Sequence, residues 1–390
     1  MRIVLYKGGA QYNALNRFSE KLGEGLKKIG HEIEMVDLVE ADKKKELLID
    51  AMARKPQLVI GFNGMGAEIR TTEQKSIYDI SESQYLSLLL DHPAFHTGRT
   101  VRAPANAITG VVDRTHIDYL KEISPRHPTF FAPHGGVQSP DYRNADRPID
   151  ILFLGTGMNA AKERESWELF PHSYQMIMEE AFEEFLKEPQ AWEKLIRAAA
   201  ERRFMHFPMH LMAPMIVQLE IVMRAEYRMK ILKKFDEAGL KVTIMGNGWE
   251  HMKFKNHEIH PSTEFYEALK LMTKAKIALN ASPQFFNGSH ERVFVAMLNG
   301  TVPITSASTY YDEHFVDNEH YLAYDLPTLP SAIEKLKELL GTPKKMKAIQ
   351  QNSLKIAMTD HTWEKRAEEF VDKLQTLQIS QFLYKKQWGL

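Results

Sequence analysis

The side chains best suited to chemistry lie in one loop and in the first turn of the helix that follows it. The loop begins after a predicted strand that ends at Asn280, and the helix starts near Glu291 and ends at Gly300. Amides at a helix start have no partner within the helix and carry the positive end of its dipole, so this pattern favours a bound diphosphate. The candidate ligand-binding residues are Asn280, Asn287, Gly288, Ser289, His290, Glu291 and Arg292.

The residue types in this segment suit a diphosphate and hydroxyl groups next to it. Gly288 lets the backbone approach a phosphate, while His290 and Arg292 add hydrogen-bond donors or positive charge. Glu291 could accept hydrogen bonds from ribose or hexose hydroxyls. A structural interpretation is the alternative, in which Ser289 is a helix N-cap and Glu291 only favours the helix dipole.

A second group of candidates follows predicted strands in the second half of the chain. Gly155 and Thr156 end the strand that opens this half, and the carboxyl ends of such strands are where α/β proteins bind ligands. Gly246, Asn247 and Trp249 follow a strand at 241–246, where backbone groups and an aromatic ring could lie beside a nucleobase. A simple turn is the alternative for these three residues.

In the first half of the chain, Asp91 and His92 end one predicted strand and His134 ends another. A carboxylate or an imidazole at these places could accept a proton from a substrate hydroxyl. A buried histidine with a structural role is the alternative for both imidazoles. The methionines and histidines at 205–215 are predicted to pack as an apolar helical face, so we predict no metal site.

Composition excludes several classes of protein and of site. The 390 residues include 50 Lys and Arg against 51 Asp and Glu, so no net field would draw the chain to nucleic acid or to an acidic membrane. The absence of cysteine excludes disulfides, thiolate zinc sites and thiol nucleophiles. The first apolar run ends at Lys7 and no other run has spanning length, so we expect a cytoplasmic protein without a transmembrane segment.

Short apolar strands alternate with helices along the chain, which predicts an α/β fold with parallel sheets covered on both faces. The polar, proline-bounded stretch 139–148 indicates a domain boundary, and a new series of strands and helices starts beyond it. We therefore predict two Rossmann-like, doubly wound domains facing a cleft, at 1–147 and 148–375, with a tail at 376–390. A helical insertion interrupts the second domain at about 164–224.

The candidate segment resembles the donor-binding signature of group 1, family 4-like GT-B glycosyltransferases, and most closely that of their CgeB-like branch, named for spore maturation proteins. The shared elements are the strand ending in Asn280, the Glu-Arg-Val-Phe run at 291–294 and the helix end at Gly300. Other segments are similar to family blocks and keep the family's order over about residues 85–370, outside the insertion. These segments are 91–93, 131–135, 150–155, 244–249 and 361–366.

The resemblance implies a glycosyltransferase of the hexosyltransferase class that moves a sugar from a UDP- or GDP-linked donor to an acceptor hydroxyl. It favours retention of the anomeric configuration over inversion, and it implies no tightly bound cofactor and no required metal. Arg292, the helix start at Gly288 and Ser289, and Thr156 would stabilise the departing diphosphate. The acceptor would be a glycan, a small molecule or a protein. An inverting reaction would use the candidate bases of the first domain.

One departure from the family pattern concerns two acids. The family's usual pair of acids would fall at Gly288 and Val295, and Glu291, about one helical turn before Val295, is the candidate substitute. Two alternatives therefore stay open. The first is a GT-B enzyme of another kind, such as a sugar-nucleotide epimerase, and the second is a protein that binds a nucleotide sugar without catalysis.

Overall fold

The computed structural model describes residues 1–9, 11–143 and 146–388 of the chain. These residues divide into two units, the first formed by Met1–Gly135 together with the chain from Asp360 onward, and the second by Gly136–Thr359. The prediction of an α/β fold with two parallel sheets is confirmed. The limits of the second unit differ from the predicted 148–375 at both ends.

The first unit contains a six-stranded parallel sheet with the strand order β2-β1-β3-β4-β5-β6. The central strands are continuous apolar runs because helices cover both faces of the sheet, which leaves Ile3, Val4 and Leu5 fully buried. The strands are β1 Arg2–Lys7, β2 Glu32–Asp37, β3 Leu58–Phe62, β4 Gln84–Leu89, β5 Ile108–Val111 and β6 Thr129–Phe131.

Six α-helices connect these strands, with short 3-10 segments at Gln11–Asn13 and Pro93–His96. The longest of them follows the first strand and buries Phe18, Leu22 and Leu26 at helical spacing, so its apolar face packs on the sheet. The helices are α1 Ala14–Lys28, α2 Leu38–Lys43, α3 Glu46–Ala53, α4 Ile77–Ser81, α5 Thr97–Val101 and α6 Thr115–Ile123.

The second unit contains another six-stranded parallel sheet, with the order β12-β11-β10-β7-β8-β9. The chain runs outward from β7 through β8 to β9 and then returns to the other side of β7 at β10. The neighbouring strands β7 and β10 therefore flank the topological switch point. The strands are β7 Ile149–Leu154, β8 Thr243–Met245, β9 Glu258–His260, β10 Ala275–Asn280, β11 Val302–Ser306 and β12 Leu322–Tyr324.

The helices of the second unit include the predicted insertion. They are α7 Ala160–Glu165, α8 His172–Lys187, α9 Trp192–Glu201, α10 Met209–Glu237, α11 Phe265–Thr273, α12 Glu291–Leu298, α13 Thr309–His314, α14 Leu329–Leu340 and α15 Pro343–Asp360, with a 3-10 turn at Ser166–Leu169. The insertion does not end at 224 as predicted, because α10 continues through 29 residues and includes Pro214 near its start. A single helix thus joins the insertion to β8.

The last helix, α16 Trp363–Trp388, belongs to the first unit. Its Trp363 ring lies 5.2 Å from that of Phe18 and 5.4 Å from that of Phe62. A side chain at Gly25 on α1 would collide with the backbone of Glu364, so the glycine permits the two helices to approach closely. This packing explains why the second unit ends before residue 375.

The sequence prediction missed the strands β9 and β12 and the helices α4, α5, α6, α13 and α15. All three residues of β9 are exposed, and Glu258 and His260 are polar, so this edge strand has no apolar pattern that would distinguish it from a loop. The strand β12 is as short, with three residues. Within the described ranges, no helix combines the length and the apolar character that crossing a membrane requires.

Candidate functional site

Two arginines lie at the ends of the strands that flank the switch point of the second unit. Arg228 Nη1 donates to the carbonyl oxygen of Thr156, directly after β7, at 2.8 Å. Arg292 Nη1 donates to Asn280 Oδ1 at the end of β10 at 3.3 Å. The two guanidinium groups therefore lie at the ends of adjacent strands, where open α/β sheets bind their ligands.

The helix α10 brings Arg228 to this place because it leads into β8 and so runs opposite to the strands. Since Arg228 is level with the end of β7, residues nearer the helix start extend beyond the strand ends, by about 1.5 Å each. Glu220, Arg224 and Arg228 follow one another at four-residue spacing and thus share one face of the helix. Glu220 Oε2 accepts a hydrogen bond from Arg224 Nη2 at 2.7 Å.

Positive charge is concentrated at the end of β7. Arg228 is 8% exposed, and burial, followed by repulsion from Arg292 and Arg224, lowers its pKa to about 9. Burial also lowers the pKa of Arg292, with Glu291 opposing the change and Arg224 adding to it. We refer to Arg224, Arg228 and Arg292 as the arginine cluster. The mutual repulsion of these groups is the electrostatic property expected of an anion site.

The start of α12 differs from the prediction of free amides. The amide of His290 donates to Tyr311 Oη at 2.8 Å, and the amide of Val293 donates to the carbonyl oxygen of His290 at 3.2 Å. The amide of Arg292 lies 3.3 Å from His290 Nδ1, which makes His290 the N-cap in place of the predicted Ser289. These three amides have protein acceptors, so the guanidinium groups, and not the main chain at these positions, offer donors to an anion.

His290 and Glu291 form a close pair in front of this helix. His290 Nδ1 lies 2.6 Å from Glu291 Oε2. The same Nδ1 lies at hydrogen-bond distance from the Glu291 carboxylate and from the Arg292 amide, and the tautomer of the imidazole sets whether it donates to the first or accepts from the second. The Glu291 carboxylate, about one-fifth exposed, is thus oriented by the imidazole and keeps Oε1 within 3.8 Å of Arg292 Nε.

The loop residues before α12 are held by side chains that follow β11. Asn287 Oδ1 accepts from Thr309 Oγ1 at 2.9 Å, and the carbonyl oxygen of Gly288 accepts from Ser308 Oγ at 2.7 Å. Ser289 is fully buried. These contacts give the loop a fixed shape. The candidates Asn287, Gly288 and Ser289 therefore position α12.

Asn280 anchors the site to the sheet. It is buried, its Nδ2 donates to Thr305 Oγ1 at 2.9 Å, and its carbonyl oxygen accepts from Tyr324 Oη at 2.7 Å. Its Oδ1 is the acceptor for Arg292, so the amide orientation is set by partners on both sides. Asn280 therefore directs the Arg292 guanidinium.

The loops after β7 and β8 pack directly on each other. A side chain at Gly246 would collide with the carbonyl oxygen of Gly155, which explains glycine at 246. The amide of Gly157 donates to the carbonyl oxygen of Asn247 at 2.8 Å. Asn247 itself is exposed, and its Oδ1 accepts from the amide of Ser262 at 3.0 Å. Asn247 is therefore the accessible candidate of this group.

The prediction of an exposed aromatic face at Trp249 is wrong. The side chain is 1% exposed, its ring lies 5.9 Å from that of Phe153, and its Nε1 donates to the carbonyl oxygen of Gly155 at 2.8 Å. A large apolar ring with a single polar group satisfies both needs in the core. Trp249 thus holds the loop after β7 from its buried side and has no exposed ring face for a nucleobase.

Replacing Trp249 with Phe is therefore expected to lower the free energy of unfolding by about 1–3 kcal/mol, because a buried hydrogen bond is lost and its acceptor is left unsatisfied. The affinity for UDP should stay close to that of the wild type. Urea denaturation and calorimetric titration measure the two quantities. An affinity loss on the order of tenfold at unchanged stability would instead support stacking on a base.

In the first unit, the structure distinguishes among Asp91, His92 and His134. The Asp91 side chain is 39% exposed and its Oδ2 accepts from Asn63 Nδ2 at 3.2 Å. His92 is buried, its Nδ1 accepts from the amide of Ala94 at 3.1 Å, and His134 is buried as well. Buried imidazoles cannot reach a substrate without a rearrangement. Asp91 is thus the accessible group of the three.

Sequence reasoning missed Arg224, Arg228 and Asn63. The two arginines belong to a helix that is buried on nearly all sides, where unexplained charges at i and i+4 are a usable signal. Asn63 has a left-handed backbone with a φ of 51°, and its Oδ1 accepts from the amide of Leu90. An Asn-Gly pair after an apolar strand is the corresponding signal. Within the described residues, no group of three or more His, Cys, Asp and Glu side chains could hold a metal ion.

Comparison with known proteins gives a partial family match. Residues 228–372 match the family model described as Glycosyl transferase-like. This segment begins at Arg228 and includes the whole of α12. A search of curated proteins finds no match.

Solved structures resemble the chain over nearly its full length. Sucrose-phosphate synthase from Thermosynechococcus elongatus is 11% identical, with 97% of this chain and 99% of that chain covered and a TM-score of 0.51. An alpha-glucosyltransferase (AGT) in complex with UDP is 12% identical, with 96% and 100% covered and a TM-score of 0.52. An alpha-glucosyltransferase with UDP and a 13-mer DNA containing a HMU base is 12% identical, with 96% and 99% covered and a TM-score of 0.56.

These likenesses identify the fold as GT-B, in agreement with the two six-stranded parallel sheets. The partial family match and the fold together indicate a glycosyltransferase.

Proposed function

We propose that the arginine cluster binds the diphosphate of a nucleoside-diphosphate sugar and that the protein transfers the sugar to an acceptor hydroxyl. The observation that carries this proposal is the placement of Arg228 and Arg292 at the two strand ends that flank the switch point of the second unit, with Arg224 close enough to repel both. The partial match to a glycosyltransferase-like family supports it. The sequence resemblance to the CgeB-like branch is consistent with the same activity.

Charge around the cluster supports an anionic ligand. The three guanidinium groups are accompanied by two carboxylates, Glu220 and Glu291. Arg228 is buried, and its Nε has no hydrogen-bond partner among the described residues. A buried donor left unsatisfied costs about 1–3 kcal/mol, and a phosphate oxygen would remove that cost. A bound diphosphate would attract each arginine, and this attraction would offset the repulsion among the three.

The proposed reaction breaks the bond between the anomeric carbon and the diphosphate oxygen and forms one between that carbon and the acceptor oxygen. The leaving diphosphate takes the electron pair, so charge grows next to the guanidinium groups as the reaction proceeds. Preorganised donors at the position of developing charge are commonly the largest contribution to such catalysis. We propose that the three arginines neutralise this charge without a metal ion.

The fate of the acceptor proton depends on the stereochemistry. With retention, which the sequence resemblance favours, the proton passes to the departing diphosphate oxygen. With inversion, a base must take it, and Asp91 is the accessible carboxylate among the candidates of the first unit. We propose UDP-glucose as the first donor to test, because two similar structures contain UDP.

A second candidate function is the binding of a nucleotide sugar without transfer. The family's two acids are replaced by Gly288 and Val295, and Val295 is buried in α12. Glu291 is then the carboxylate of this segment that remains for the sugar. Donor binding without release of free sugar or transfer product would favour this candidate.

The proposal predicts stabilisation by nucleoside diphosphates. At a concentration of about 100 times Kd, a ligand that binds only the folded state adds about 2.7 kcal/mol, which raises the melting temperature by several degrees. UDP, GDP, ADP and their glucose esters form the panel, with uridine as the control that lacks phosphate. If no diphosphate raises the melting temperature, the anion site is refuted.

A further inference from the structure

Glu220 is a buried carboxylate beside the arginine cluster. Its side chain is 1% exposed and lies on α10 between the apolar residues Leu219 and Val222. Burying a carboxylate is costly unless a cation accompanies it, and Arg224, one helical turn later, supplies that cation through the 2.7 Å hydrogen bond to Oε2. The pair contributes little net stability by this principle. The effect of the pair that matters is therefore the position in which Glu220 holds the Arg224 side chain.

The two side chains of the pair differ in exposure. Arg224 is 21% exposed while Glu220 is covered, so part of the arginine side chain is accessible and its carboxylate partner is not. Along α10, Arg224 lies about 6 Å beyond Arg228, past the end of β7. A single phosphate at the strand ends can contact Arg228 and Arg292. A second phosphate farther along the helix axis would approach Arg224.

We propose that Glu220 is a positioning residue that holds Arg224 as the third guanidinium of the site, and that this arrangement selects a diphosphate over a monophosphate. This proposal rests on the proposed function, because it assigns the third arginine of the same site. Arg224 contacts the second phosphate. Glu220 acts through Arg224 and does not touch the ligand.

Loss of the Glu220 charge and release of Arg224 would change the affinity for UDP in opposite directions. Removing a negative charge near an anion site, with no other change, would strengthen the binding of UDP more than that of UMP, since UDP carries more charge. Releasing Arg224 would have the opposite effect, because the second phosphate loses a charge-assisted contact. The ratio of the Kd of UMP to the Kd of UDP therefore distinguishes the two effects, because it rises in the first case and falls in the second.

The experiment is calorimetric titration of UDP and UMP into the full chain carrying Glu220→Gln, which keeps the shape and a hydrogen-bond acceptor. We expect the ratio of the two dissociation constants to fall about tenfold, the usual size of one charge-assisted hydrogen bond. Arg224→Lys, which keeps the charge and loses the planar fork, should lower the ratio in the same direction. The matched control is Glu226→Gln on the same helix, whose carboxylate lies 3.8 Å from Arg164 and 3.9 Å from Lys230.

The outcomes distinguish a failure of the proposed function from a failure of the role assigned to Glu220. If wild-type protein binds neither nucleotide, the proposed function fails. If it binds UDP but Glu220→Gln leaves the ratio unchanged or raises it, Glu220 does not position Arg224 and this inference is overturned. If Glu220→Gln does not fold, Arg224→Lys alone decides, because an unchanged ratio in that variant also overturns the assignment.

Discussion

Replacing Arg228 with Met is expected to lower the affinity for UDP by about 10²-fold, because a desolvated, charge-assisted contact to phosphate is removed. The same change should leave the stability of the free protein unchanged or raise it. Arg228 is buried beside two like charges, and an apolar side chain of similar length removes that repulsion. Calorimetric titration and thermal unfolding measure the two effects. A purely structural arginine would give the reverse result.

The matched control for Arg228 is Lys234→Gln on the same helix. Lys234 is exposed and pairs with Glu237 at 2.8 Å, away from the strand ends. Loss of one surface charge there should leave the UDP affinity nearly unchanged, since exposed ion pairs are screened. A comparable loss in both variants would mean that net charge, and not the site, controls binding.

Replacing Arg292 with Ala is expected to lower donor affinity or turnover by about 10²-fold or more. The guanidinium lies at the end of β10, oriented by Asn280 Oδ1, and stabilises the charge that develops on the leaving diphosphate. Initial rates of UDP release from UDP-glucose, which is common to hydrolysis and transfer, give kcat and KM. A fall in kcat at unchanged KM would indicate that Arg292 acts mainly in the transition state.

Two further variants sharpen the Arg292 result. Arg292→Lys keeps the charge and should recover only part of the activity, because ammonium cannot reproduce the planar fork of donors. Asn280→Asp would place a negative charge against Arg292 and should weaken donor binding without removing the guanidinium. Wild-type kinetics in Arg292→Ala would refute the assignment of this residue to the diphosphate.

The elements of the fold were predictable where their pattern is local. Buried parallel strands such as β3 and β10 are continuous apolar runs, and their alternation with amphipathic helices indicates an α/β fold directly. The strand-loop-helix order around Arg292 was visible for the same reason. Polar or very short elements, such as β9 and β12, have no such pattern and were missed.

The site was only partly predictable because its members are brought together by topology. Arg228 and Arg292 are far apart in sequence and are brought to adjacent strand ends because β7 and β10 are neighbours and the unbroken helix α10 leads toward β8. The amides of α12 were predicted to be free, and Tyr311, on the missed helix α13, takes one of them. Trp249 was predicted to lie beside a ligand, and its ring is instead buried in the core next to Phe153.

The sequence by itself determined the class of fold, the polar loop before α12 and the exclusion of thiol chemistry, because each depends on residue type and short-range spacing. The tertiary structure alone decided which charges lie together at the switch point and which amides already donate hydrogen bonds. It also decided that α16 packs on the first unit. Hydrophobic periodicity reports only whether a face is buried. The identity of the neighbour that buries it depends on strand order, which no local pattern encodes.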